Sequence, residues 1–227
     1  MSAGRPPAAV LFDFGGTLDA PGLPWKERLF ALYRAQGVAV TADRFDPVFY
    51  RADDALVGTV PTTLSFRDTV DQLVAGVSAG LGVTDDAITA RVATRFVDDA
   101  RDAVAASTLV LSGLARRYRL GLVSNFYGNL ENVCDDLGLR PLFGAIVDSA
   151  RVGCTKPDPR IFQRALAEVG VGPRDATFVG DSRPRDMLGA RDAGISHIWL
   201  VAGPLQPAPC CPGDRVVHAL GELREWL

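Results

Sequence analysis

Asp13 closes an apolar run, Val10-Leu11-Phe12, and is followed by Phe14 and a Gly15-Gly16-Thr17 turn. A carboxylate at a strand end is a potential nucleophile, and glycine amides that no side chain covers can approach an anion closely. Further polar residues punctuate later apolar runs. Ser124-Asn125 follows Leu120-Gly121-Leu122-Val123, Lys156 precedes Pro157-Asp158-Pro159, and Gly180-Asp181-Ser182 is followed one helical turn on by Asp186. Taken singly these are ordinary residues: strand-end Asp and Ser commonly cap helices, and a lone lysine is commonly solvated. Together they suggest one site. Asp13, Asp181 and Asp186 can form a hard oxygen site suited to Mg²⁺, which offsets their repulsion and bridges to a phosphate oxygen. Ser124 and Lys156 can then hydrogen-bond and neutralise the other phosphoryl oxygens. A carboxylate held in line can attack phosphorus and form an aspartyl phosphate, which makes Asp13 the expected nucleophile.

The elements that must position these residues alternate. Candidate strands run over 10–14, 120–123, 145–147, 177–179 and 197–201, with helices near 108–117, 130–137, 159–169 and 184–193 between them. Such alternation predicts an α/β fold with a parallel sheet, helices on both faces, and ligands bound beyond the carboxyl ends of the strands. Asp158 with Pro159 reads as a cap and first helical position, and Gly194 as a helix stop. Between Ala20 and Ala105 the strands vanish. Trp25, Leu29, Leu32 and Tyr33 share one helix face, and Phe45, Val48, Phe49 and Leu56 another. Ser65 with Asp68 resembles a capping box, and Thr84 is placed to cap a fourth helix carrying Ile88, Val92 and Phe96. Four amphipathic helices imply a small inserted bundle. Its aromatic residues, Trp25, Phe30, Tyr33, Phe49 and Tyr50, are spaced for helix packing and read as core. The stretch 203–213 reads as a loop, and 220–227 as a closing helix.

Composition narrows the class. The chain has 227 residues, 48% of them hydrophobic, and a net charge of −3. This balance provides no basic field for nucleic acid or an anionic membrane. The first seven residues lack the apolar run of a signal peptide or membrane span. Cys134, Cys154, Cys210 and Cys211 show no CxxC spacing and the chain has two histidines, so neither a zinc site nor a disulfide framework is expected. Reduced thiols in a cytoplasmic protein are expected, with the adjacent Cys210 and Cys211 in the 203–213 loop. The only lysines are Lys26 and Lys156.

In their order, Asp13-Phe14-Gly15-Gly16-Thr17, Ser124-Asn125, Lys156-Pro157-Asp158-Pro159 and Gly180-Asp181-Ser182 with Asp186 resemble the motifs of the haloacid dehalogenase superfamily, over nearly the whole chain. The resemblance implies a Rossmann-like core over 1–19 and 106–227. It also implies an all-helical cap over 20–105 that closes on the site and selects a small phosphorylated substrate. It makes Asp13 the nucleophile and a ligand of Mg²⁺, with the Gly15 carbonyl and Asp181 as further ligands and Asp186 acting through water. Gly16, Thr17, Ser124, Asn125 and Lys156 would hold the phosphoryl group.

The chain departs from that pattern at Gly15, where phosphatases of the family carry an aspartate that moves protons. Such a group is usually worth ~10²–10⁴-fold in rate, against total accelerations of up to ~10²¹ for phosphate monoesters. A carbonyl ligand survives the change; proton transfer does not. Asp19, Lys26 and Glu27 lie close enough in sequence to substitute, although a solvated helix start is the favoured reading of all three. Lys26 also invites comparison with relatives that cleave carbon–phosphorus bonds through a cap lysine, but it lies much nearer the nucleophile than in those relatives. Haloacid dehalogenases proper lack the second aspartate too, yet they do not need the Asp181 and Asp186 pattern. A chain that only binds a phosphorylated ligand or partner is the remaining alternative.

Overall fold

Every residue of the first strand, β1 (Ala9–Phe12), is buried, which requires a central place in a sheet covered on both faces. The computed structural model, which describes residues 6–203 and 215–227, puts it there. Six strands form one parallel sheet: β1, β2 (Arg119–Ser124), β3 (Ala145–Asp148), β4 (Ala176–Gly180), β5 (Ser196–Leu200) and β6 (Arg215–Val217). Their order is β3-β2-β1-β4-β5-β6. Winding runs outward through β2 and β3, then restarts on the other side of β1 with β4. The crevice at that reversal is where open parallel sheets bind ligands. Register brings the chemistry to it, because Phe12 pairs with Leu122 on one side and Val179 on the other. Asp13, Ser124 and Asp181 therefore all emerge at the carboxyl edge.

The two faces follow strand alternation. Leu11, Val123 and Phe178 pack with Ile161, Phe162, Ala165 and Val169 of α7 (Pro159–Val169). As expected, Asp158 caps this helix by accepting from Arg160 N (2.9 Å) and Pro159 opens it; Gly170, which the sequence reading did not single out, closes it in the left-handed conformation. Val10, Phe12 and Leu122 face the other way, into a cluster that runs without a break into the inserted helices. Three shorter helices complete the core: α5 (Leu130–Asp136), α6 (Ser149–Val152) and α8 (Leu188–Asp192). Two elements differ from the sequence reading. Residues Arg183–Met187 form a wider π-type turn ahead of α8, and the closing helix is a 3-10 segment over Leu220–Glu225. The short edge strand β6 has too few residues to show any periodicity. Of the 203–213 loop only Gly203 is described; Cys210 and Cys211 lie outside the described residues.

The insertion consists of α1 (Trp25–Ala35), α2 (Ala42–Leu56), α3 (Phe66–Leu81) and α4 (Asp86–Ala115). Ser65 caps α3 through Asp68 N (3.0 Å), as its spacing predicted. Asp85, not Thr84, caps α4, accepting from Ala87 N at 2.8 Å. The fourth helix also does not stop near Ala105. It continues for 30 residues through the helix expected at 108–117, since neither glycine nor proline interrupts it before Gly113. Its first half packs Val92, Phe96 and Val97 among the inserted helices, and the second packs Leu111 and Leu114 beside the sheet. Among the described residues no helix is long and apolar enough to cross a membrane.

A buried polar knot ties insertion to sheet. Asp19 Oδ1 accepts from Gly16 N (2.7 Å), while Oδ2 accepts from Trp25 Nε1 (2.6 Å) and Arg28 Nη1 (2.8 Å). Arg28 also donates to the Phe96 carbonyl (3.2 Å) and lies 3.9 Å from the centre of that ring. Burial pushes the Asp19 carboxyl up, and the Arg28 charge only partly offsets it. Removing one partner of a buried pair strands the other charge and typically costs ~3–5 kcal/mol. Arg28→Met is expected to lose about that much in urea unfolding, and a loss below about 1 kcal/mol would show that water reaches Asp19.

Candidate active site

Asp13 continues the line of β1, donating its backbone N–H to the Val179 carbonyl (2.9 Å). The residue is only 6% exposed. Ser124 Oγ (2.9 Å) and Lys156 Nζ (2.6 Å) both donate to Oδ1. Among the described residues no donor occupies Oδ2. Lys156 is held in place through its backbone. Its N–H donates to Asn125 Oδ1 (2.7 Å), and Asn125 Nδ2 donates to its carbonyl (3.1 Å). Asn125, expected to grip a phosphoryl group, thus spends both ends of its amide on positioning Lys156.

Across the crevice, Asp181 and Asp186 complete an acidic trio, with ligand oxygens of all three aspartates within 4.8 Å of one another. Thr17 Oγ1 donates to Asp181 Oδ1 (3.1 Å), and Trp199 Nε1 donates to the Asp181 carbonyl (2.8 Å). Ser182 N donates to Asp186 Oδ2 (2.9 Å). Gly16 has φ +90°, and a β-carbon there would lie 2.5 Å from Asp181 Oδ2, so the close approach of the turn requires glycine.

Among the described residues one cation, Lys156, is paired with these acids. Lys156 Nζ lies 2.6 Å from Asp13 and 2.7 Å from Asp186. Burial opposes its charge, but the two carboxylates prevail and its pKa is raised. Asp181 is pushed well above the carboxylate range, first by burial and then by Asp13 and Asp186. Burial raises Asp186 as well, despite Lys156. Asp181 Oδ2 is buried with no hydrogen-bond partner. An unpartnered carboxylate oxygen, three acids against one ammonium, and an all-oxygen donor set fit a hard divalent cation. Asp13, Asp181 and Asp186 are the side chains that would hold it.

Position 15 is shaped by its neighbour. A β-carbon on Gly15 would sit 3.2 Å from Trp25 Nε1 and 3.4 Å from Cδ1. The indole cannot retreat easily: Nε1 is bound to Asp19, and its ring meets those of Phe14, Phe66, Phe96 and Phe126 edge-on. Trp25 therefore takes the space a longer side chain would need. Of the nearby candidates to replace that side chain, Asp19 is not the solvated residue expected; it is wholly buried in the Trp25–Arg28 knot. Lys26 and Glu27 do line the crevice, paired with each other (2.9 Å). Lys26 also donates to both oxygens of Asp46, each at 2.8 Å. Burial weighs against its charge, yet the bonds to Asp46 and Glu27 raise its pKa, so it is an ammonium rather than a Schiff-base amine.

The crevice is a cavity of about 200 Å³. Its walls include residues to which the sequence reading gave no functional part: Trp25, Phe49 and Tyr50, read as core, together with Asp53, Phe126, Tyr127, Ser182 and Arg185. Two signals were available. Tyr127 follows Asn125 by two positions, and Asp53 stands four residues after Phe49, an acid next to the apolar face of α2.

Two outcomes follow from this geometry. Gly15→Asp, forced against a fixed indole, is expected to lower stability by ~1–3 kcal/mol in denaturant titration; unchanged stability would show Trp25 free to shift. The second concerns the raised acids. Without a cation their stabilising contribution is present at low pH, while they are protonated, and is lost as pH rises through their folded pKa values. A cation reverses that loss by binding the ionised form. At about a hundred times its dissociation constant Mg²⁺ is worth about 2.7 kcal/mol, so it should raise the melting temperature more at about pH 8 than at about pH 5. The same shift in an Asp181→Ala, Asp186→Ala double variant would place the cation elsewhere.

Comparison with known proteins agrees with this fold. The family model of haloacid dehalogenase-like hydrolases matches residues 7–194. Haloacid dehalogenase-like hydrolase domain-containing protein 3 of Mus musculus is 32% identical over 229 residues, covering 94% of this chain and 91% of that protein. A phosphoserine phosphatase of Thermus thermophilus is 41% identical over 88 residues, 39% of this chain and 34% of its own length. In fold, a 2-haloacid dehalogenase from Pseudomonas syringae pv. Tomato DC3000 superposes with a TM-score of 0.52 at 23% identity, covering 96% of each chain. Phosphatase and dehalogenase share this fold, so the reaction must be argued from the site residues. With more than half its length matched by the family model, the chain belongs to the haloacid dehalogenase-like hydrolases.

Proposed function

We propose that the protein is a Mg²⁺-dependent phosphatase that works through an aspartyl phosphate on Asp13. The observation that carries this reading is the division of labour on one carboxylate. Ser124 and Lys156 fix Oδ1 of Asp13, Oδ2 stays open, and Asp181 and Asp186 stand opposite with negative charge to spare. The relationship to a phosphatase over 88 residues adds support.

In this mechanism a small phosphorylated substrate enters the crevice between sheet and insertion, with its phosphoryl group over Asp13. Asp13, Asp181 and Asp186, with the Gly15 carbonyl, would hold a Mg²⁺ ion, which would supply positive charge for the phosphoryl oxygens. Asp13 Oδ2 attacks phosphorus and displaces the leaving oxygen. Lys156, buried and cationic, balances the charge that develops on the equatorial oxygens. Asn125 keeps its backbone in place, Thr17 steadies Asp181, and Gly15 of the turn lines the crevice where the phosphate enters, the Gly16 amide being spent on Asp19. Water then hydrolyses the acyl phosphate. The inserted helices act as a cap, their aromatic wall excluding bulk water. The free thiols of Cys134 and Cys154 support a reducing, cytoplasmic setting.

Attack on carbon, as in the dehalogenases, needs no acidic trio. The clustering of three acids, with Asp181 Oδ2 left unpartnered, therefore favours phosphorus. A carbon–phosphorus lyase acting through Lys26 would need a neutral amine, which its pairing with Asp46 and Glu27 opposes. The expected result is phosphate release from an aryl phosphate that stops on chelation of Mg²⁺ and in Asp13→Asn. Release indifferent to Mg²⁺ or surviving in Asp13→Asn, or halide release from a 2-haloacid in its place, would overturn this assignment.

A further inference from the structure

Resting on the phosphatase reading, one question remains: which group moves the proton that position 15 cannot. Four carboxylates line the crevice: Asp13, Glu27, Asp53 and Asp186. Asp13 and Asp186 are paired with Lys156, and Glu27 stands at the half-exposed rim with Lys26. Asp53 is different. It projects from α2 of the insertion, and its one hydrogen bond comes from Tyr127 Oη, 2.5 Å from Oδ1. Tyr127 is itself buried, three residues beyond Ser124, and Gly58 N donates to its carbonyl (3.0 Å), tying that loop to the end of α2. The pair thus bridges insertion and core on the wall of the same cavity that Asp13 floors.

We infer that Asp53, oriented by Tyr127, is the general acid and base of this pocket, a catalytic residue supplied by the insertion in place of a side chain at position 15. In the first half-reaction a bond forms between Asp13 Oδ2 and phosphorus as the ester P–O bond breaks. The electron pair of the broken bond stays on the leaving oxygen, which takes the proton of Asp53. In the second half water adds to phosphorus and its proton passes to the Asp53 carboxylate. The bond from phosphorus to Asp13 then breaks, and Asp53 is protonated again for the next cycle. The environment suits the task. Burial raises the Asp53 pKa, the Tyr127 hydrogen bond pulls it back, Asp54 raises it and Arg185 lowers it. Trp25 explains why the acid is delivered from this side: its indole fills the space beside Gly15.

The test compares 4-nitrophenyl phosphate, whose leaving group needs no proton, with 2-phenylethyl phosphate, whose alkoxide does. Wild type, Asp53→Asn and Tyr127→Phe are assayed with Mg²⁺ across pH, with Asp13→Asn as the reference for the underlying chemistry. Asp53→Asn is expected to lose ~10²-fold or more in kcat/KM on the alkyl ester, but less than about tenfold on the aryl ester. It should also lose the alkaline fall in kcat/KM that marks deprotonation of the acid. Tyr127→Phe should keep alkyl turnover and move that fall to higher pH, because the phenol stabilises the carboxylate. Equal losses on both esters, no loss on either, wild-type activity confined to the aryl ester, or an alkaline limb that stays put in Tyr127→Phe would overturn the role of Asp53. No phosphate from either ester, or undiminished release in Asp13→Asn, would instead bring down the phosphatase reading and this inference with it.

Discussion

Three carboxylates, two buried and one half-buried, gather around the one ammonium that the described residues place at the end of the sheet, and this crowding of acids organises the rest of the molecule. Two of the acids share Lys156, whose backbone Asn125 grips at both ends. The third, Asp181, has Thr17 on one oxygen and nothing on the other. An arrangement of this kind is costly to bury unless something positive completes it. Strand register makes the crowding unavoidable, since Asp13 and Asp181 leave neighbouring strands at the same level. The fold thus builds an electrostatic deficit into the place where its winding reverses.

The second organising feature is apolar. Trp25, Phe14, Phe66, Phe96 and Phe126 meet mostly edge to face, so the hydrophobic core continues from sheet into insertion past Asp13. Asp19 sits at the junction, holding the Gly16 amide on one side and the indole and guanidinium on the other. The turn after Asp13 is therefore set as much by the insertion as by the strand that precedes it. Glycine at position 15 belongs to this packing rather than being a simple loss.

Most of the architecture was legible from the sequence because continuous apolar runs and 3.6-residue periodicity report burial directly. The strands β1 to β5 lie within two residues of their expected ends, and α7 starts where Asp158 and Pro159 placed it. What was not legible has physical causes. The boundary of α4 was invisible because helices cross from one packing partner to another without changing period. Asp19 read as a solvated charge because partners such as Trp25 and Arg28, met only once the chain has folded, leave no pattern in the sequence. The strand-end residues of the site could be ordered along the sheet edge, but their division of labour could not. That Ser124 and Lys156 meet on one oxygen of Asp13, and that Asn125 serves Lys156, depends on rotamers. Asp53 and Tyr127 come from different layers, and only tertiary structure brings them together.

The long helix α4 also has a mechanical meaning. At ~1.5 Å per residue its 30 residues span about 45 Å, an unbroken beam with one end among the inserted helices and the other against the sheet. A gate that swings needs a joint, and helices bend sharply only where proline, glycine or a bulge permits. This beam has no such weak point before Gly113. The insertion is better pictured as a cantilever than as a door. Traffic into the crevice would then depend on side chains at its mouth, such as the exposed ring of Tyr50 and the Lys26–Glu27 pair, while the roof yields only elastically.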